Sequence, residues 1–136
     1  MLMETKFYQC KHCGNIIVKV IDGGPVPQCC GDVMEELKPN TTEGKTEYHL
    51  PVVVKCDDKK LIVKVGQEPH PMTATHRIRF IYIETECGGQ CIHLKEEHPA
   101  EITISMCEKP KAIYAYCNLH GLWKTCIPCE KSVCCK

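Results

Sequence analysis

Two groups of side chains in this sequence have the types and spacing to do chemistry. The first is Cys10-x2-Cys13, followed fifteen residues later by the adjacent pair Cys29-Cys30. A C-x2-C turn lets two thiolates converge on one ion, and a second pair from a distant turn completes tetrahedral sulfur coordination of the kind zinc or iron accepts. Neighbouring side chains on an extended strand point to opposite faces, so Cys29 and Cys30 can share an ion only where the backbone turns between or around them. Gly31, Pro25 and Pro27 supply the means, and a site distorted from a regular tetrahedron is expected. Sulfur type alone does not separate iron from zinc, and a pair of disulfides is the alternative.

The second group is His49 in E-Y-H-L-P, His70 in E-P-H-P-M, His76 in T-H-R-I, and Cys117 with His120 in Y-C-N-L-H-G-L-W-K. Any one such histidine is ordinarily a satisfied core or surface residue. Here Pro69 and Pro71 hold the backbone of His70 rigid, and Cys117-x2-His120 closes a turn after KAIYAY. Four imidazoles and one thiolate give a five-coordinate ion with one open position, a donor set that suits iron or copper better than magnesium or calcium. An open position turns a structural site into a reactive one. His93 and His98 lack such contexts and read as solvated loop residues.

Composition narrows the setting. The chain has 136 residues with 17 Lys+Arg against 17 Asp+Glu, so it carries no basic excess for nucleic acid or an anionic membrane. Its 13 cysteines would suggest a disulfide scaffold in a small secreted protein. Against that, Glu4 and Lys6 interrupt the apolar stretch that a cleaved leader needs, and no apolar run approaches the roughly 18 residues of a membrane helix. An odd cysteine total also cannot be fully paired within one chain. A cytoplasmic location is the resulting expectation, and in a reducing compartment clustered thiolates are more often metal ligands or redox groups than bridges.

The elements that must position these groups are short. Residues 1–38 form a turn-rich unit with almost no helical pattern: FYQCKHCG, the alternating run IIVKVI, then DGGPVPQCCGD and MEELK. Pro25 and Pro27 bar a central strand there. A unit of this size buries too little apolar surface to fold alone, and needs a metal, a partner subunit or both. Residues 39–47 read as a linker. Through residues 48–125, β-type segments recur in YHLPVVVKC, KKLIVKVG, THRIRFIYIETE, AEITISM and KAIYAYC; RIRFIYIE and EITISM alternate residue by residue. An all-β, antiparallel sandwich is predicted. Residues 126–136 are a Cys-rich tail, in which Cys126-x2-Cys129 and Cys134-Cys135 imitate the first group at a separation of four residues. A third metal site, a thiol–disulfide pair and a redox-labile end are all open there. Cys87 and Cys91 flank Gly88-Gly89 as a bridge or as free thiols, and Cys56 and Cys107 read as small buried apolar groups.

Taken together, residues 5–125 resemble desulfoferrodoxin, the two-iron form of superoxide reductase. F-Y-x-C-x-x-C-G-N, C-C-G-x-x-M-x-x-L, E-x-H-x-P, H-P-M, T-H-R-I and Y-C-N-L-H-G-L-W-K stand in the family's order at compatible spacings. The resemblance implies a small desulforedoxin-like, rubredoxin-like metal domain followed by an immunoglobulin-like β-sandwich, and a homodimer. It implies one iron on Cys10, Cys13, Cys29 and Cys30, and a second bound equatorially by His49, His70, His76 and His120 with Cys117 axial. The implied activity is one-electron reduction of superoxide to hydrogen peroxide at the ferrous second site, without dioxygen release. The four-thiolate iron would be auxiliary, and a rubredoxin-like protein would be the external donor. Backbone N–H groups of the Asn118-Leu119-His120 turn are expected to hydrogen-bond the Cys117 sulfur. A two-iron electron-transfer protein that binds no substrate is the alternative.

One position departs from the family, which places a Lys between the Glu and the first His ligand. Here the order is Glu47-Tyr48-His49. By the resemblance, Glu47 could occupy the sixth position in the ferric resting state. Tyr48 supplies no cation at pH 7, since a phenol titrates near pH 10. Either another Lys reaches the site in space or protonation relies on water.

Overall fold

Apolar side chains build two separate cores along the chain. The computed structural model describes residues 5–42, 44, 46–105 and 108–127, divided between a unit Met1–Lys38 and a unit Pro39–Lys136. In the first, β1 (Phe7–Gln9) lies between β2 (Ile16–Val18) and β5 (Glu35–Leu37), both antiparallel to it. A second ladder pairs β3 (Gln28–Cys29) with β4 (Asp32–Val33). Its core is small: Tyr8, Cys10 and Met34 are buried together, with Cys29 packed against them. Ile17, Val20, Ile21, Val26 and Val33 stay exposed.

The second unit is an antiparallel sandwich. One sheet has the order β10 (Glu101–Ser105), β7 (Lys60–Val65), β6 (Pro51–Cys56); the other runs β12 (Gly121–Cys126), β11 (Pro110–Cys117), β8 (Ile78–Thr85), β9 (Gly89–His93). Alternation drives it: Leu61, Val63 and Val65 of β7 are buried while the residues between them are not. They pack with Ile102, Ile81, Ile83, Ile113, Ala115 and Cys117 in one cluster. Cys117 therefore begins as a core position at the end of a core strand. Near it the β8–β11 register shifts between Tyr116 and Cys117, so that Cys117 pairs with Ile78 and Arg79 is passed over. This bulge buries Ile78, leaves Arg79 exposed, and bends the strand end where His76 departs.

Three features differ from the sequence reading. Thr46–His49 is a single helical turn, α1, where an extended segment was expected from Tyr48 onward. The strands β9 and β12 lack a strong alternating pattern, and their pairing to β8 and β11 supplies what local pattern does not. The stretch 39–47, expected as a linker, is tied at its start to β12: the Asn40 side chain accepts from Lys124 N at 2.9 Å and donates to Lys124 O at 3.2 Å, while Asn40 N donates to Leu122 O at 2.9 Å. Polar edge pairing of this kind has no apolar signature. Cys107, Cys129, Cys134 and Cys135, and with them the questions raised about the tail, lie outside the described residues. Among the described residues no helix is long and apolar enough to cross a membrane.

The helical turn α1 is held by backbone. Gly66 N donates to Leu50 O at 2.8 Å, and Glu68 N to Glu47 O at 3.0 Å. Gly66 has φ 81, and a Cβ there would lie 2.6 Å from Tyr48 C and 2.8 Å from Glu47 O. Only glycine fits at this contact. Gly66→Ala should therefore destabilise the second unit by about 2 to 3 kcal/mol, from left-handed strain plus backbone displacement. A shift of the urea midpoint at unchanged m-value measures it, and a midpoint equal to that of the unmodified chain contradicts the clamp.

Candidate metal centres

The four cysteines of the first unit come together through two different turns. Cys10 N donates to Asn15 O at 2.9 Å and Gly14 N to Cys10 O at 3.1 Å, folding residues 10–15 into a knuckle that brings Cys13 beside Cys10. Cys29 and Cys30 meet by the backbone turn that their adjacency demands. Cys29 pairs with Asp32, and the two residues between have φ 55 and 76, the double left-handed conformation of a tight two-residue hairpin. Gly31 takes part in the turn as the sequence reading expects, and Cys30, a residue with a Cβ, takes the left-handed φ beside it. The sulfur atoms of Cys13 and Cys29 are 3.6 Å apart and those of Cys29 and Cys30 3.9 Å. A tetrahedron with metal–sulfur bonds of about 2.3 Å has edges of about 3.8 Å.

Hydrogen bonds prepare one sulfur for a cation. His12 N and Cys13 N point at Cys10 Sγ at 3.3 and 3.4 Å. The Cys13 N–H leads in lowering the Cys10 thiol to about 6, against the opposing effect of burial. Cys30 is pushed up to about 12, first by the Cys13 sulfur and then by those of Cys10 and Cys29, and Cys29 is raised for the same reason. Four sulfurs this close cannot all ionise without a positive charge among them. The donor set fits a tetrahedral thiolate metal such as iron or zinc.

In the second unit, His49 ends α1, His70 and His76 sit on the loop between β7 and β8, and Cys117 and His120 flank the turn between β11 and β12. Their ligand atoms all lie within 4.8 Å of one another. The imidazoles form a closed ring in the order His49, His70, His76, His120, with neighbouring centroids 4.7 to 5.2 Å apart and planes crossing at 69 to 81°. His49 Nε2 is 3.1 Å from His120 Nδ1, close to the roughly 3.0 Å expected of two nitrogens at right angles on one ion. Cys117 Sγ is 3.7 Å from His120 Nδ1.

Two nitrogens show most directly that the residues fit a cation. His70 Nε2 and His76 Nε2 are buried without any hydrogen-bond partner, a costly state for a polar atom unless a ligand meets it. The other nitrogen of His70 lies 2.7 Å from Pro71 O, so it carries the proton and Nε2 presents a lone pair. Burial lowers His70 to about 4 and also lowers His76, so both are neutral at pH 7. Burial raises the Cys117 thiol, while the N–H groups of Leu119 and His120 work to lower it. The sequence reading places N–H groups of the Asn118-Leu119-His120 turn on this sulfur; Leu119 and His120 act on it, while Asn118 N donates to Arg77 O at 3.2 Å. Neutral imidazoles around a thiol that ionises only beside a cation fit an iron-type ion.

The family model for desulfoferrodoxin matches residues 41–126. The chain belongs to the desulfoferrodoxin family. A desulfoferrodoxin from Syntrophotalea carbinolica is 35% identical over 125 residues, covering 92% of this chain and 98% of the relative. A desulfoferrodoxin homolog from Archaeoglobus fulgidus is 37% identical over 130 residues, covering 92% and 99%. The crystal structure of the superoxide reductase from Treponema pallidum superposes with a TM-score of 0.75 at 27% identity, covering 90% of this chain and 97% of that one.

Not every residue singled out from the sequence joins a centre. Glu47 is exposed and its carboxylate is outside the five-residue cluster, while Tyr48 is half-buried on α1. His93 and His98 are exposed as expected, although His93 ends strand β9 instead of lying in a loop. Cys56 packs against the main core, and Cys87 and Cys91 are free and exposed.

The side chain of Asn118 has a part in the site that the sequence reading did not assign. Its Oδ1 accepts from Arg77 N at 2.8 Å and its Nδ2 donates to Thr75 O at 2.8 Å, clasping both neighbours of His76. It thereby ties the His76 loop to the Cys117–His120 turn. The only hint in sequence was an amide between two metal-type residues in C-N-L-H. Asn118→Ala should cost about 1 kcal/mol per lost hydrogen bond and weaken metal binding at the histidine centre about 10- to 100-fold. Competition with a chelator measures this. Asn118→Asp, which keeps the acceptor alone, should fall between the two, and an unchanged affinity in both variants contradicts the clasp.

Proposed function

We propose that the chain is a superoxide reductase that takes superoxide to hydrogen peroxide by one electron and two protons, releasing no dioxygen. The ring of four imidazoles with one thiolate carries this reading: five donors leave a sixth position, which a pure electron carrier would fill. Bound by His49, His70, His76, His120 and Cys117, iron supplies a ferrous one-electron donor to superoxide. Every other part of the task falls to the chain. The proton on the Pro71-facing nitrogen of His70 keeps the opposite lone pair turned into the site, and the Leu119 and His120 N–H groups hold charge on the Cys117 sulfur. His49 and His70 are buried while His76 and His120 are half-buried, so a small anion and the protons it needs have access from the His76–His120 side.

The four-cysteine centre is assigned a second iron with an auxiliary redox role. A rubredoxin-like protein is the proposed external donor, and a cytoplasmic homodimer the proposed working form. The relatives named superoxide reductase and desulfoferrodoxin support the reading. Protein loaded with ferrous iron, in excess over a superoxide pulse, should yield one peroxide per superoxide with one iron oxidised each time and no oxygen evolved. Evolution of one oxygen per two superoxide ions would make it a dismutase, and consumption no faster than with free iron would remove the activity.

Tyr48 tests how the anion is drawn in. Tyr48→Lys places a positive charge one residue from His49, and attraction between unit charges in water is weak and salt-screened. The bimolecular rate should rise a few-fold at low ionic strength, with the gain lost in high salt. A pH profile and salt dependence identical to those of the unmodified chain would show that Tyr48 is only a packing residue.

A further inference from the structure

Trp123 is the chain's single tryptophan and is 2% exposed on β12. It is register partner to Ala115, whose small side chain leaves room for an indole on the inward face. The indole lies flat on His49, with ring centroids 5.0 Å apart and planes inclined by 19°. Its N–H donates to His120 O at 3.0 Å. The backbone of Gly44 packs against both rings, since a Cβ there would lie 3.2 Å from Trp123 Cζ2 and 3.3 Å from His49 Cε1. One side chain thus touches the ring of one ligand histidine and the backbone of another, two residues 71 positions apart in sequence whose ring nitrogens stand 3.1 Å apart.

We propose that Trp123 is the positioning residue of the histidine centre, with two separable effects: its N–H fixes the turn that carries His120, and its ring keeps water off His49. The inference rests on the metal reading given above. A dry flank penalises the more highly charged ferric form, so the indole raises the reduction potential of a bound iron. A hydrogen bond to a carbonyl beside a donor atom acts instead on how firmly that donor is held. The ring and the N–H can therefore be removed one at a time.

Trp123→Phe keeps an aromatic cover and removes the N–H; Trp123→Ala removes both. Each variant is loaded with iron as the full chain. Iron release to an excess of chelator and the midpoint potential of the histidine centre are then measured beside the thermal midpoint. Trp123→Phe should release iron about tenfold faster with its potential unchanged. Trp123→Ala should release it faster still and show a lowered potential. Iron release and potential equal to those of the parent in both variants overturn the proposal, and so does a potential lowered as far in Trp123→Phe as in Trp123→Ala. Trp123→Phe carries the test alone should Trp123→Ala fail to fold. Failure of the parent chain to hold iron on its histidines would instead overturn the metal reading itself. Emission from the single indole gives an independent check: iron, but not zinc, should quench it on loading.

Discussion

Neutral imidazole nitrogens turned inward without partners, beside a thiol that resists ionising, are the constraint on which the second unit depends. Burying a polar atom unpaired costs on the order of 1 to 3 kcal/mol, and His70 and His76 both present one. A cation at the centre removes that cost and supplies the charge that lets Cys117 ionise. The surrounding fold holds these donors together ahead of the ion: the backbone clasp of Gly66 on α1, the Pro69–Pro71 bracket, the β8 bulge at Arg79 opposite Cys117, and the amide of Asn118.

The two centres solve the same electrostatic problem differently. Four sulfurs within 4.8 Å of one another repel one another's charge, and two backbone N–H groups point at that of Cys10, which is the one lowered. Such a site closes on itself with four soft ligands and leaves no place for a further one. The histidine centre has uncharged donors and a single thiolate, and one side of it is less deeply buried than the other. A saturated sulfur site suits storage and relay of an electron, whereas an unsaturated one suits its delivery to a small anion.

Much of this was legible in the residues. C-x2-C with C-C, and the three histidine contexts with C-x2-H, are local patterns whose chemistry depends on residue type and short spacing. Alternation in RIRFIYIE and KKLIVKVG likewise reports a buried face directly, and β7 and β8 lie there. Elements without such a signature were harder to see. α1 is one turn long, too short for any periodicity. GQCIH has no apolar stripe and forms β9 because β8 offers it a ladder. Asn40 binds β12 through amide and backbone groups that hydropathy cannot register.

The sequence by itself determined the identity of the donors, the sulfur-only and imidazole-rich character of the two groups, and the all-β class, because each follows from residue type and from spacing along a few neighbouring residues. Only the tertiary structure decided which nitrogen of each imidazole faces the centre, that Cys30 takes the left-handed turn, and that Asn118 and Trp123 bind the donors to one another. The histidine centre joins atoms as many as 71 positions apart along the chain, and the spacing of residues along a sequence carries no information about distances set by packing.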